Sequence, residues 1–331
     1  MAKRKKNGGS VQPSELTIYT EMEFEGDADS RILDISQCVS LLNRRYYSQN
    51  LNWYVSDIKV TSLSTGNVLC LKLPSTWVVK NSIIKAKAAW NAAIDNAIEE
   101  SDTEVRGKFL DFKVYMNSDH HNQGFGNNLL PFTYNAGQWD PATTRIPTQS
   151  LGGVASSTER EFLVIGDNLP GPSPASGLDA LSVIEGYAAS RRLPHQSDPE
   201  TPVDMDTNWM VKMFDQPSAQ DQDIIEDLQG SGTQPPYPYE GGGIDPATGL
   251  PYTDTMYPGG ANQGGLQLHD QTAITPNTLA NSSYMQGGQF PLGLINFVIG
   301  QAGEGNHNFG IFIRLAPGSH RGYLAEKIED M

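Results

Sequence analysis

Leu16-Thr17-Ile18-Tyr19-Thr20-Glu21-Met22-Glu23-Phe24 is the stretch on which the fold class turns. Leu16, Ile18, Thr20, Met22 and Phe24 alternate with Thr17, Tyr19, Glu21 and Glu23, a period of two that puts one set on a core face and the other toward solvent. The stretch therefore reads as a half-buried strand, and the ordered body is expected to begin at Leu16. Upstream, residues 1–15 read as a disordered basic arm: Lys3-Arg4-Lys5-Lys6, then Gly8-Gly9-Ser10 and Pro13, with nothing to bury. The charges of this N-terminus are not followed by the apolar stretch of a secretory signal. No run elsewhere approaches the roughly 20 apolar residues of a membrane-spanning helix. A reducing compartment, cytoplasm or nucleus, is the expected setting.

Downstream, the spacing predicts a short helix or turn over 35–45, then strands over 53–60 and 67–73 joined as a hairpin by Ser64-Thr65-Gly66. One strong helix follows, capped by Asn81 or Ser82, with Ile83, Ala86, Trp90, Ile94, Ala97 and Ile98 on one stripe. Its acidic end, 95–100, opposes the helix dipole and is expected to fray. Further strands are predicted over 108–115, 161–166, 181–187, 292–299, 308–315 and 322–328. Between them, tracts around 116–157 and 195–288, the latter including Pro235-Pro236-Tyr237-Pro238-Tyr239 and Gly241-Gly242-Gly243, read as long loops of the kind that bind something or stay disordered.

Composition agrees with a β fold. Only 18% of the 331 residues are charged, while 33 glycines and 21 prolines favour strands joined by long turns and disfavour an all-helical chain. No repeat of 20–50 residues is visible, which argues against solenoids and propellers. The net charge of −15 rules out a surface that attracts polyanions everywhere, so any nucleic-acid contact must be local. Cys38 and Cys70 lack CxxC or zinc-finger spacing and read as two buried free thiols.

No motif commits the chain to catalysis. Asp119-His120-His121-Asn122-Gln123 is the densest polar cluster, but it has no HExxH-like partner spacing, and it reads as a loop bonded to its own backbone or to a neighbouring subunit. His195, His269, His307 and His320 are scattered, with no GxSxG nucleophile nearby. The glycines of 300–306 lack the closing Lys-Ser or Lys-Thr of a phosphate loop and read as a hairpin turn. Acidic tracts at 204–206 and 221–227 do not follow the calcium-loop pattern and read as a solvated turn and helix. Neither catalytic nor metal-ligating residues are expected, and no enzyme. The clearest functional signal is Lys3, Arg4, Lys5 and Lys6, which on a mobile arm would contact phosphates without base specificity, and which also suit a nuclear import signal. A second candidate is Arg44 and Arg45, beside Tyr46 and Tyr47, where aromatics could stack on unpaired bases.

Several stretches, taken in order, resemble the capsid proteins of circular Rep-encoding single-stranded DNA viruses. They are the arm Lys3 to Lys6; Ser40-Leu41-Leu42-Asn43-Arg44-Arg45-Tyr46-Tyr47; Thr76-Trp77-Val78-Val79-Lys80-Asn81 leading to Trp90; Gly107 to Tyr115; Gly137-Gln138-Trp139; Ile184-Glu185-Gly186-Tyr187-Ala188-Ala189-Ser190-Arg191; Met213-Phe214-Asp215 with Ile224-Ile225-Glu226; Tyr257-Pro258-Gly259-Gly260; and Leu324-Ala325-Glu326. The resemblance implies an all-β fold with one or two helices: a single jelly-roll sandwich, spanning 16–331, of eight main antiparallel strands in two sheets with long loops. It also implies self-association into an icosahedral shell, capture of a circular single-stranded DNA genome by the arm, no membrane, and a place in the virion after assembly in the host nucleus or cytoplasm. A host attachment factor is implied without being identified. The arm, with four cations, is short for the group, and the acidic body would face outward or sit at subunit contacts, where divalent cations could bridge it; no other cofactor is expected. A non-viral sandwich that recognises glycans through aromatic loops is the alternative, and the basic arm discriminates against it.

Overall fold

The computed structural model describes residues 14–26, 28–100, 111–148, 156–191, 209–212, 265–275, 277–301 and 306–331. The arm cations Lys3 to Lys6, the acidic tracts and the proline- and glycine-rich stretches at 235–239 and 241–243 lie outside them. The stretch quoted first forms β1 (Thr17–Glu25), in which Ile18, Thr20, Met22 and Phe24 are the buried residues. Next come β2 (Ala28–Asp34), α1 (Ile35–Asn43), β3 (Leu51–Ser62) and β4 (Gly66–Lys72). The middle of the chain holds α2 (Trp77–Glu100), β5 (Tyr115–Asn117), α3 (Ser118–Gln123), β6 (Thr143–Thr148), β7 (Ser156–Ile165), β8 (Ala180–Ser182), α4 (Val183–Arg191) and α5 (Trp209–Lys212). The last third contributes β9 (Gln267–Ile274), β10 (Ser282–Pro291), β11 (Leu294–Gln301), β12 (Asn306–Leu315), β13 (Pro317–Gly318), β14 (Gly322–Tyr323) and β15 (Ala325–Lys327).

Two antiparallel sheets make the body: β1-β12-β3-β10, with β15 continuing alongside β3, and β2-β11-β4-β9. Their inner faces meet in a core that includes Ile18, Trp53, Ile58, Val68, Cys70, Phe297 and Ile311. The chain passes from one sheet to the other between β1 and β2, β2 and β3, β3 and β4, β9 and β10, β10 and β11, and β11 and β12. The stretches 53–60 and 67–73 therefore do not pair as the expected hairpin, and 300–306 likewise joins opposite sheets. A period of two reports which side chains face a core and is silent on which neighbour takes the backbone hydrogen bonds. After β3 the chain is turned by Ser62, whose hydroxyl accepts from the Ser64 N–H at 2.9 Å and donates to the Asn308 carbonyl at 2.7 Å.

Both outer strands of the first sheet have main-chain groups taken up by something other than a ladder partner, a loop at β1 and side chains of β9 at β10. At β1, the Phe132 N–H donates to the Tyr19 carbonyl at 2.9 Å. At β10, the Gln286 N–H donates to Asp270 Oδ2 at 2.7 Å, and its carbonyl accepts from His269 Nε2 at 3.0 Å. The His269 ring lies so close that a Cβ on Gly288 would sit 2.7 Å from it, which explains a glycine inside this strand.

Between β4 and β9 the chain builds a second unit. In it β5 and β8 run parallel to β7 while β6 runs antiparallel, and α2 and α4 pack over a core of Val79, Ile83, Ala86, Trp90, Phe112, Phe162, Tyr187 and Trp209. The tract expected to be a loop over 116–157 thus carries α3 and β6 on either side of an irregular stretch at 124–142, and β9 and β10 fall within the other expected loop. The helix predicted from Asn81 or Ser82 begins at Trp77, because Thr76 Oγ1 accepts from the Val79 N–H at 3.4 Å, and it continues through the acidic stretch to Glu100. The strand predicted over 181–187 is β8 running into α4: Ser182 Oγ accepts from the Glu185 N–H at 3.3 Å, as an N-cap does. Within the strand predicted over 108–115, Asp111 to Val114 take no strand conformation, and β5 starts at Tyr115.

A buried carboxylate joins the two units. Asp34 caps α1, its Oδ1 accepting from the Ser36 and Gln37 N–H groups at 2.8 and 3.3 Å. Its Oδ2 accepts from Gln49 Nε2 at 3.1 Å and from Trp139 Nε1 at 3.0 Å. Gln49 also bridges to the backbone of Val114, through its amide oxygen at 2.8 Å and its amide nitrogen at 3.2 Å. Complete burial pushes the Asp34 carboxyl up to about 7, against the pull of its four donors.

Candidate nucleic-acid interface

Arg44 and Arg45 sit where α1 ends. Arg44 adopts the left-handed conformation of a helix C-cap (φ 50°, ψ 40°), its N–H bonded to the Leu41 carbonyl at 3.3 Å and that of Arg45 to the Ser40 carbonyl at 3.1 Å. The reversal leaves both arginines exposed and sends the two tyrosines inward. Tyr47 is buried edge-on against Tyr323 and near Trp53. Tyr46 leans on Trp139 and lies near the buried Lys113, whose ammonium is 4.8 Å from the Trp139 ring centre. These tyrosines are core and packing residues, and the base stacking expected of them is not available at Tyr47.

A third arginine, remote in sequence, completes the corner. Arg321 donates to the Tyr46 carbonyl at 2.9 Å and stands 5.7 Å from the Tyr47 ring centre. His320 beside it is held below the ordinary histidine range by burial and then by the charges of Arg321 and Arg45. No local motif marks Arg321 as a partner of Arg44 and Arg45; only the return of the C-terminal strands brings it there.

The root of the arm is fixed at this same corner. Ser14 Oγ donates to the Arg321 carbonyl at 2.8 Å, Tyr323 Oη donates to the Glu15 carbonyl at 2.7 Å, and the Glu15 N–H reaches Asn43 Oδ1 at 3.3 Å. Residues 14 and 15, expected to belong to the disordered arm, are thus bonded to the body. The adjoining cleft is electrically mixed, with Lys87, Arg321 and Lys327 facing Glu326, Glu329 and Asp330.

The histidine cluster is a short helix in the core and not a loop. Asn117 caps α3 by accepting from the His120 N–H at 2.9 Å. His120 Nδ1 accepts from the Met116 N–H at 3.0 Å, so its other nitrogen carries the proton and donates to Asn128 Oδ1 at 2.8 Å. Asn128 passes the chain of bonds to Gln37 at 2.9 Å. Burial keeps His120 neutral, its pKa pushed down to about 3 despite the Asn128 bond. His121 pairs with Glu161 at 3.0 Å, both essentially without solvent exposure. Both rings meet Tyr115 edge-on, at 5.1 and 5.0 Å between centres, and serve packing of α3 against β5 and β7. Among the described residues, no group of three or more histidine, cysteine or acidic side chains is placed to hold a metal ion. No helix among them is long and apolar enough to cross a membrane.

Compared with protein-family models, curated proteins and solved structures, the chain matches none of them.

Proposed function

We propose that the chain is the coat protein of a small icosahedral virus with a circular single-stranded DNA genome, that its sandwich is a jelly roll, and that it is not an enzyme. Eight main strands in two facing sheets, with the short β15 added beside β3 and the chain crossing between sheets at nearly every connection among the eight, suit a jelly roll, an architecture that viral shells share with lectin domains. A fold does not by itself carry a function, and the observation that carries this one is the corner where the arm is rooted. Ser14 and Glu15 are bonded beside Arg321, next to exposed Arg44 and Arg45, so Lys3 to Lys6 are tethered where the body adds its own cations. On this reading that corner faces the shell interior and binds phosphates, the acidic excess of the body lies on other surfaces or at subunit contacts bridged by divalent cations, and the chain reaches the virion from the host nucleus or cytoplasm.

Electron microscopy of the expressed protein tests the proposal. Closed particles are expected; a persistent monomer at high concentration overturns it, and glycan capture by that monomer would favour a binding module instead. Deleting residues 1–10 should leave particles intact while lowering their DNA content, and raised salt during assembly should have the same effect. Unchanged DNA content would remove the arm as the genome contact.

A further inference from the structure

The outward face of the β1-β12-β3-β10 sheet carries a row of rings. Tyr19 on β1 is the register partner of Phe312 on β12, Phe312 that of Lys59 on β3, and Lys59 that of Tyr284 on β10. Residues so aligned point to one face of a sheet. The rings of Tyr19 and Phe312 stack at 4.4 Å with 29° between their planes, and Phe132 extends the row past β1 at 5.8 Å from Tyr19. Lys59 Nζ lies 5.9 Å from the Phe312 ring centre and 5.7 Å from that of Tyr284. Tyr284 is 64% exposed and Phe132 55%. Three strand spacings make the row from Tyr19 to Tyr284 about 14 Å long.

We propose that this row is a stacking platform for the unpaired bases of single-stranded nucleic acid, with Tyr284, Phe312 and Tyr19 as ring partners and Lys59 as the cation between them. The inference rests on the genome-binding reading above and adds a second, base-contacting surface to it. Neighbouring acids on this face are already engaged: Asp57 with Arg314 at 3.4 Å, and Glu21 with the Tyr19 hydroxyl. Lys59 has no ion pair among the described residues. A lysine at the centre of an aromatic row is unlike the core of a protein–protein interface, where lysine is depleted. It matches single-strand binding surfaces, which join positive charge to stacking rings. Position supports the same occupant. Lys6 precedes Ser14 by eight residues and Ser14 precedes Tyr19 by five, at most about 18 Å of chain, so the basic segment is joined to the body through the strand that opens this row.

The test uses the full-length protein and fluorescence anisotropy with a labelled 20-nucleotide oligodeoxythymidine and an abasic oligomer of equal length. Wild type should bind the thymidine strand more tightly than the abasic one. Tyr284→Ser and Phe312→Ala should each weaken thymidine binding roughly 5–150-fold with little change in salt dependence, while Phe312→Tyr retains it. Tyr284 is exposed enough for its substitution to leave folding intact. Replacing Lys3 to Lys6 with alanine should instead flatten the salt dependence, by a slope of up to about 3. Equal binding of the two strands by wild type, or unchanged binding by the row variants together with lost self-association, overturns the platform and makes the face a subunit contact. Loss seen only with the arm variant removes the platform and leaves genome binding standing; no binding of either strand by wild type sinks both.

Discussion

Asp34→Ala should be among the most damaging single substitutions in the molecule. The change removes a helix cap and strands two buried side-chain donors, Gln49 Nε2 and Trp139 Nε1, that lie 3.1 and 3.0 Å from the carboxylate. Loss of an N-cap costs about 1 kcal/mol and each of the two buried unpaired donors about 1–3 kcal/mol, so the total is about 3–7 kcal/mol. Urea unfolding followed by tryptophan fluorescence measures it, since Trp139 is bonded to Asp34 and Trp53 Nε1 to Ser36 Oγ in the adjoining turn of α1. The effect also has a sign in pH. Burial raises the folded-state value from 3.8 to about 7, so the unfolded chain loses its proton first and the contribution of Asp34 to stability falls as pH rises between those values. The gap between wild type and Asp34→Ala is therefore widest near pH 4 and shrinks on the way to pH 8, by up to about 4 kcal/mol at 1.36 kcal/mol per pH unit. A loss below about 1 kcal/mol at pH 5 would refute the role of Asp34 as the joint between the units. A gap that does not vary with pH would refute the raised carboxyl.

Three further outcomes are expected. Glu161→Ala leaves the His121 imidazole without its buried partner and should cost about 3–5 kcal/mol in urea unfolding, with Glu161→Gln milder; a cost under about 1 kcal/mol would show that the pair is not a structural tie. Gly124→Ala forces a side chain into the left-handed region (φ 74°) with its Cβ 2.6 Å from that of Ala175, and should lower stability by about 1–3 kcal/mol, where a neutral change would contradict the close approach. Cys38 and Cys70 are buried free thiols whose pKa burial raises, Cys70 to about 12, so a maleimide at pH 8 should label neither until urea unfolds the chain; rapid native labelling would contradict their placement.

What was legible in the sequence was the side of each strand. Alternation along 16–24 identified the buried face of β1, and apolar periodicity located β3, β4, β11 and β12 to within a few residues and the second half of β7. Partners were not legible, since strands that cross between sheets alternate as hairpin strands do. β9 and β10 were hidden because they lie at sheet edges, where polar residues and Gly287-Gly288 occupy positions a central strand would give to β-branched residues. The start of α4 carried a readable signal: Ser182-Val183-Ile184-Glu185 is the Ser-x-x-Glu pattern of a helix start, outweighed by the apolar residues at 181, 183 and 184. At the candidate interface, Arg44 and Arg45 were legible as local cations, whereas Arg321 and the row from Tyr19 to Tyr284 are assembled by strand register across almost the whole chain, which no local pattern encodes.

The way the outer strands are finished limits how copies of this chain can meet. With the Tyr19 carbonyl held by Phe132, and both backbone groups of Gln286 held by His269 and Asp270, neither flank of that sheet offers an uninterrupted ladder for a neighbour to extend. A copy approaching from the side would find occupied acceptors and donors at these points. Any association of copies along this sheet would then depend on the shape and chemistry of side chains, which can dictate a definite angle between neighbours, and not on the open-ended stacking of strands that ends in fibrils.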